Sequence, residues 1–123
     1  MPKSAIEAEA FRWSDMPMDQ PLPTLERRKV VGEKAMVARV LLHEGCVVPT
    51  HHHENEQIAC VVSGRLRFSI GDAESGVTEH EVSGGGVMLL PSNVPHGVVA
   101  LEETVVLDVF TPVAKVMGID MGD

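Results

Sequence analysis

From Lys29 onward the chain is a succession of short apolar stretches, rich in Val, Ile and Leu and closed by turn residues. Lys29–Val31, Ala35–His43, Cys46–His53, Gln57–Ser63, Arg65–Ile70, Val77–Val82, Val87–Leu90, Gly97–Leu101 and Thr104–Phe110 read as strands. Between them stand Gly32, Glu44-Gly45, Glu54-Asn55, Gly64, Gly71-Asp72, Gly84-Gly85-Gly86, Pro91-Ser92-Asn93 and Glu102-Glu103. Gly supplies positive φ, while Pro, Asn, Asp and Ser preset or cap tight turns, so each of these breaks except the charged Glu102-Glu103 pair carries a turn former. Short strands at a spacing of roughly 8–12 residues predict an all-β domain, a sandwich or small barrel. Upstream, Pro17, Pro21 and Pro23 fix φ and remove backbone donors, which predicts an arm without regular structure through Thr24. The expected organisation is an N-terminal arm over 1–28, a barrel over 29–112 and a loose tail over 113–123. The Ala and Glu residues between Ser4 and Arg12 would allow a short helix ahead of the arm.

At 123 residues the chain is long enough for one core and too short for two domains. Apolar residues make up 44% and charged residues 23%, a globular balance rather than a disordered one. The net charge is −8 and the pI about 5.1. Beyond Phe68 the one Lys or Arg is Lys115. Phosphate backbones need a clustered basic footprint, so nucleic-acid binding is excluded. No apolar run approaches the ~20 residues of a membrane span, and Met1–Ala10 lacks the apolar core of a signal peptide. Cys46 and Cys60 make no disulfide framework, which points to a reducing cytoplasm. Both read as small buried hydrophobes, with Cys60 opposite in parity to Gln57 and Ala59.

Three of the histidines stand together as His51-His52-His53. In a strand, alternate side chains share a face, so His51 and His53 point one way and His52 the other. Folding a hairpin about Asn55 would set His53 opposite Gln57 and His51 opposite Ala59. His51, His53 and Gln57 would then converge, and His96, after the rigid Pro91–Pro95 turn, is the candidate for a fourth donor. Neutral imidazole nitrogens and an amide oxygen suit a first-row divalent metal. His43, beside a turn, and His80, between glutamates, read as ordinary polar positions.

These residues carry a family resemblance. Gly45-x5-His51-x-His53-x3-Gln57-x6-Gly64 resembles the first cupin motif, with Gln where many cupins have Glu. Gly85-x5-Pro91-x-Asn93-x2-His96 resembles the second, with Asn for the usual Gly. The resemblance implies a cupin double-stranded β-helix holding one divalent metal (Ni, Zn, Fe or Mn) between His51, His53, Gln57 and His96, as a homodimer. A narrower resemblance is to the KdgF-type cupins, which linearise unsaturated monouronates from pectin and alginate breakdown. It rests on His53-Glu54-Asn55-Glu56-Gln57, Val94-Pro95-His96-Gly97, Ala100-Leu101-Glu102-Glu103 and Leu107-Asp108-Val109-Phe110-Thr111-Pro112. It implies catalysis by Asp108, with Phe110 serving the same reaction, on a small anionic sugar acid. The family's usual Arg after that last segment would fall at Ala114, with Lys115 next. A lysine binds carboxylate as a point charge rather than a fork.

Asp108 stands out without any family, because it interrupts Val105–Phe110 and a carboxylate is costly to bury uncompensated. Thr104, Val106, Asp108 and Phe110 share one face. If that face lines the barrel, Asp108 is a candidate proton carrier; the structural alternative is an internal salt bridge with Arg39, Arg65 or Arg67. Phe110 would wall the pocket or simply pack in the core. Among the strand arginines, Arg65 is the candidate contact for a substrate carboxylate. Two other function classes compete: a three-His iron dioxygenase, marked by substrate-dependent oxygen uptake, and a non-catalytic cupin that binds a small acid unchanged.

Overall fold

The structure is a computed structural model and describes residues 7–113. Ten strands follow in order: β1 (Asp19–Leu22), β2 (Leu25–Val31), β3 (Met36–Leu42), β4 (Val47–His51), β5 (Glu56–Ser63), β6 (Arg65–Asp72), β7 (Gly76–Ser83), β8 (Val87–Leu90), β9 (His96–Ala100) and β10 (Thr104–Thr111). They form a six-stranded sheet ordered β1-β2-β3-β10-β5-β8 and a four-stranded sheet ordered β4-β9-β6-β7. Every neighbouring pair is antiparallel. The all-β expectation holds. Among the described residues no helix is long and apolar enough to cross a membrane.

Alternation explains which side chains make the core. Along β3, Met36, Ala38, Val40 and Leu42 are buried while the residues between them are not. Ala59 and Val61 of β5, Val106 and Phe110 of β10, and Leu66 and Phe68 of β6 complete the inner faces. The outer strand β7 contributes no fully buried residue. Gly64 joins β5 to β6 alone, at φ +93°, where a Cβ would run into the Glu103 carbonyl and the Thr104 hydroxyl. Only glycine fits both that backbone and that gap.

Two expectations are corrected. The stretch read as an arm through Thr24 contains β1, and β2 begins at Leu25 rather than Lys29. Prolines argued against a strand there, but β1 is the sheet edge, where Pro21 removes no ladder bond the fold needs, and its register with β2 is irregular. The chain before Trp13 shows no helix over residues 7–12, and the rest of the expected Ser4–Arg12 helix lies outside the described residues. The second correction concerns the turn at Glu54-Asn55. β4 does not pair with β5: it pairs with β9, while β5 lies between β10 and β8 in the other sheet. The turn carries the chain from one sheet to the other. Ala114, Lys115 and the tail beyond Val113 lie outside the described residues.

Candidate metal centre

His51 ends β4 and His96 begins β9, and the two are direct cross-strand partners. Directly opposed residues of an antiparallel pair share a face, so both imidazoles enter the space between the sheets. His53 lies in the crossing from β4 to β5, and Gln57 is the second residue of β5. One ring nitrogen from each of His51, His53 and His96 lies within 4.8 Å of the others. Ring centroids are 4.6 Å apart for His51–His96, 5.0 Å for His53–His96 and 5.6 Å for His51–His53.

The hydrogen bonds fix which nitrogen faces inward. His51 Nδ1 lies 2.8 Å from the Pro49 carbonyl, His53 Nδ1 3.1 Å from the Asn55 carbonyl, and His96 Nδ1 2.9 Å from the Val94 carbonyl. A carbonyl can only accept, so each Nδ1 carries the proton and each neutral ring presents an Nε2 lone pair. His96 Nε2 is buried with no hydrogen-bond partner. Burial pushes the His96 pKa down to about 4 and lowers that of His51 too, so both rings are neutral lone-pair donors at neutral pH.

Gln57 adds a second feature that suits a cation. Its Nε2 donates to Asp108 Oδ1 at 3.0 Å, which turns its Oε1 toward His53 Nε2 at 3.2 Å. With the proton on Nδ1, that contact opposes two lone pairs. It is favourable only with positive charge between them, a second proton on His53 or a metal ion. An orphaned buried nitrogen and an opposed pair of acceptors are what a metal would satisfy. The three-histidine group therefore fits a divalent transition metal, and neutral imidazoles admit several of them.

A cavity, part of it open to solvent, adjoins this cluster. Asp108 and Phe110 line it, as the shared face of β10 predicts. Asp108 has Gln57 as its hydrogen-bond partner and, among the described residues, no ion pair. Burial raises its pKa to about 6, against a smaller lowering by the Gln57 amide. Phe110 is buried and meets His53 edge to face at 5.8 Å.

Arg65 is placed elsewhere, which corrects its expected role. It sits opposite in parity to the inward Leu66 and Phe68, and bonds Glu81 at 3.1 Å and Glu102 at 3.3 Å on the exposed surface. Arg67 pairs with Glu81 on the same outer side, and Arg39 likewise alternates with the buried Ala38 and Val40. The cavity arginine is instead Arg27, which lay within the expected arm. Its signal in the sequence was parity: Arg27 follows Leu25 by two and so shares that residue's inward face. His43 bonds Glu26 at 3.0 Å, while His52 and His80 are exposed, as expected of polar positions.

A search of curated protein sequences finds no match. Solved structures do match. KdgF from Halomonas sp. superposes at a TM-score of 0.79 with 25% identity, covering 89% of this chain and 97% of that one. An RmlC-like cupin from Shewanella frigidimarina gives 0.77 with 19% identity over 88% and 95%. Oxalate decarboxylase from Bacillus subtilis, described with Mn(II) centres, gives 0.75 with 23% identity over 90% of this chain and 32% of that one. A family model for the cupin domain matches residues 38–110, which hold all three clustered histidines. The chain belongs to the cupin family, and the three clustered histidines lie within its cupin domain.

Proposed function

We propose that this cupin is a metal-dependent enzyme that opens the ring of a small unsaturated sugar acid, a 4,5-unsaturated monouronate, to its linear keto form. The observation that carries the reading is the line His53–Gln57–Asp108, which joins a metal-fitting histidine cluster to an uncompensated carboxyl group inside one cavity. The likeness to KdgF from Halomonas sp. along nearly the full length of both chains supports the same substrate class.

His51, His53 and His96 would hold a metal through Nε2, and Gln57 would offer Oε1 as a fourth donor. All four donors are neutral, so a divalent ion bound there would keep its full charge and would supply Lewis-acid polarisation of a substrate oxygen. Asp108 is the proton carrier. A carboxyl group with a pKa near 6 is matched to accepting and returning a proton close to neutral pH. It takes the proton of the anomeric hydroxyl as the bond from C1 to the ring oxygen breaks, leaving an aldehyde at C1 and an enolate across C4 and C5, and it holds that proton for return to C4. Protonation at C4 then gives the ketone, so the reaction is an isomerisation with no water consumed. The Gln57 amide keeps Asp108 aimed into the cavity, and Phe110 walls it from bulk water.

The active unit is a homodimer, formed on the outer face of the six-stranded sheet. Val62, Val87 and Leu89 are each more than half exposed there, on the neighbouring strands β5 and β8. Light scattering reads the mass directly.

The deciding test is an NMR time course of 4,5-unsaturated galacturonate with metal-analysed protein, using His51→Ala/His53→Ala as control. Metal-dependent ring opening is expected. No acceleration by protein with a full metal site would refute the assignment, and substrate-dependent oxygen uptake would replace it with a dioxygenase.

A further inference from the structure

Arg27 is nine-tenths and more buried, yet it lines the same cavity as the three histidines. It is the one Lys or Arg among the described residues that do so. Asp19, its cross-strand partner on the edge strand β1, holds the guanidinium as a fork: Nε donates to Oδ1 at 3.0 Å and Nη2 to Oδ2. The Asp19 side chain is half exposed, so the outer end of this ion pair meets solvent at the sheet edge. Arg27 also makes further interactions, and it is not a bare charge awaiting a partner. What matters is that a carboxylate already sits on it in two-point geometry.

The register gives the span. Arg27 opposes Val40, which opposes Val106 on β10, one alternate position from Asp108 on the same inner face. Two strand spacings and two residues put the Arg27 and Asp108 Cα atoms roughly 12 Å apart, with the long arginine side chain extending from one end. A six-carbon acid fits between a guanidinium at one end and the Asp108–Gln57–His53 line at the other. The chain is strongly acidic, so an anionic ligand needs such a local cation to enter.

Resting on the reading that this cavity takes a sugar acid, we propose that Arg27 is the subsite for the ligand's carboxylate, and that Asp19 is a resident carboxylate which the ligand displaces from the guanidinium fork. Asp19 is suited to leave. It stands on a four-residue edge strand with irregular pairing, and release returns it to water at small cost, whereas Arg27 stays fixed in the sheet interior. The arrangement is self-capped: without ligand the buried guanidinium is neutralised by the protein's own side chain.

A purely structural ion pair and a ligand subsite predict different signs. Isothermal titration of the metal-loaded protein with D-galacturonate and, separately, with neutral D-galactose separates them. The wild-type protein is expected to prefer galacturonate. Arg27→Gln is expected to weaken galacturonate at least about tenfold while leaving galactose unchanged, and Arg27→Lys to fall between. Asp19→Asn removes the competing carboxylate and is expected to strengthen galacturonate several-fold. No preference in the wild type, or both variants shifting galacturonate the same way, overturns the proposal. If Arg27→Gln does not fold, Asp19→Asn decides alone, and failure to strengthen galacturonate overturns it. Ring opening is read separately. Opening that keeps its KM in Arg27→Gln sinks the subsite and leaves the enzyme reading. Arg27-dependent galacturonate binding without any opening sinks the enzyme reading and leaves the subsite.

Discussion

Replacing Asp108 by Asn isolates the cost of holding a carboxylate against a cluster of neutral donors. Burial raises its pKa from 3.8 to about 6. A raised acid pKa means the folded state binds its proton more tightly than the unfolded state. Asp108 therefore costs nothing below about pH 3.8, costs progressively more as pH rises to about 6, and costs a constant amount above. At ~1.4 kcal/mol per pH unit that plateau is roughly 3 kcal/mol. It is a ceiling, because Asp108 faces a cavity that admits water. Asparagine keeps an oxygen to accept the Gln57 amide hydrogen bond and carries no charge. In metal-free protein, Asp108→Asn is thus expected to be about 1–3 kcal/mol more stable than wild type at pH 8 and equal to it near pH 4. Urea denaturation in the presence of a chelator measures both. The wild-type profile alone would hide the effect, because His96, with its pKa lowered to about 4, destabilises the fold as pH falls through the same range. A variant whose stability difference from wild type does not change with pH would refute the reasoning. The same variant is expected to lose ring-opening activity while still binding metal, so that stability is gained where function is given up.

A divalent metal at about a hundred times its Kd is expected to stabilise the protein by about 2.7 kcal/mol, seen as a chelator-reversible rise in Tm that His51→Ala/His53→Ala abolishes. Because His51 and His96 both titrate below the ordinary imidazole range, that rise should survive to pH values at which free imidazole is protonated, and fail on further acidification. Phe110→Ala removes a buried ring packed on His53 and is expected to cost about 3–5 kcal/mol by denaturation, with weaker metal binding by calorimetry. Gly64→Ala combines a positive φ with a collision against Glu103 and Thr104, and should lower stability by at least ~1–3 kcal/mol while leaving the distant metal site its affinity once folded.

The sequence by itself determined the strands from β3 to β10, the face shared by Thr104, Val106, Asp108 and Phe110 on β10, and the identity of the clustered histidines. These are consequences of local chemistry. Side chains alternate with a period of two, and Gly, Pro and Asn mark turns wherever they fall, so His51, Asp108 and Phe110 could be assigned a face without knowing what lay opposite. Partnership was decided only by the tertiary structure. The β4–β5 segment reads locally as a hairpin, yet β4 pairs with β9 and β5 with β10, partners that lie far along the chain and that no local pattern names. His51 meets His96 by cross-strand register within the four-stranded sheet rather than by a local turn, and Gln57 reaches His53 from the first residues of β5 in the other sheet. Pro21 looked like a strand breaker because its position at an edge is a property of the whole sheet. The same holds for the arginines: Arg65, prominent on a strand, ends on the outer surface among glutamates, and Arg27, hidden in an apparent arm, ends inside the cavity. Periodicity fixes which way a side chain points; only the closed pair of sheets fixes what it points at.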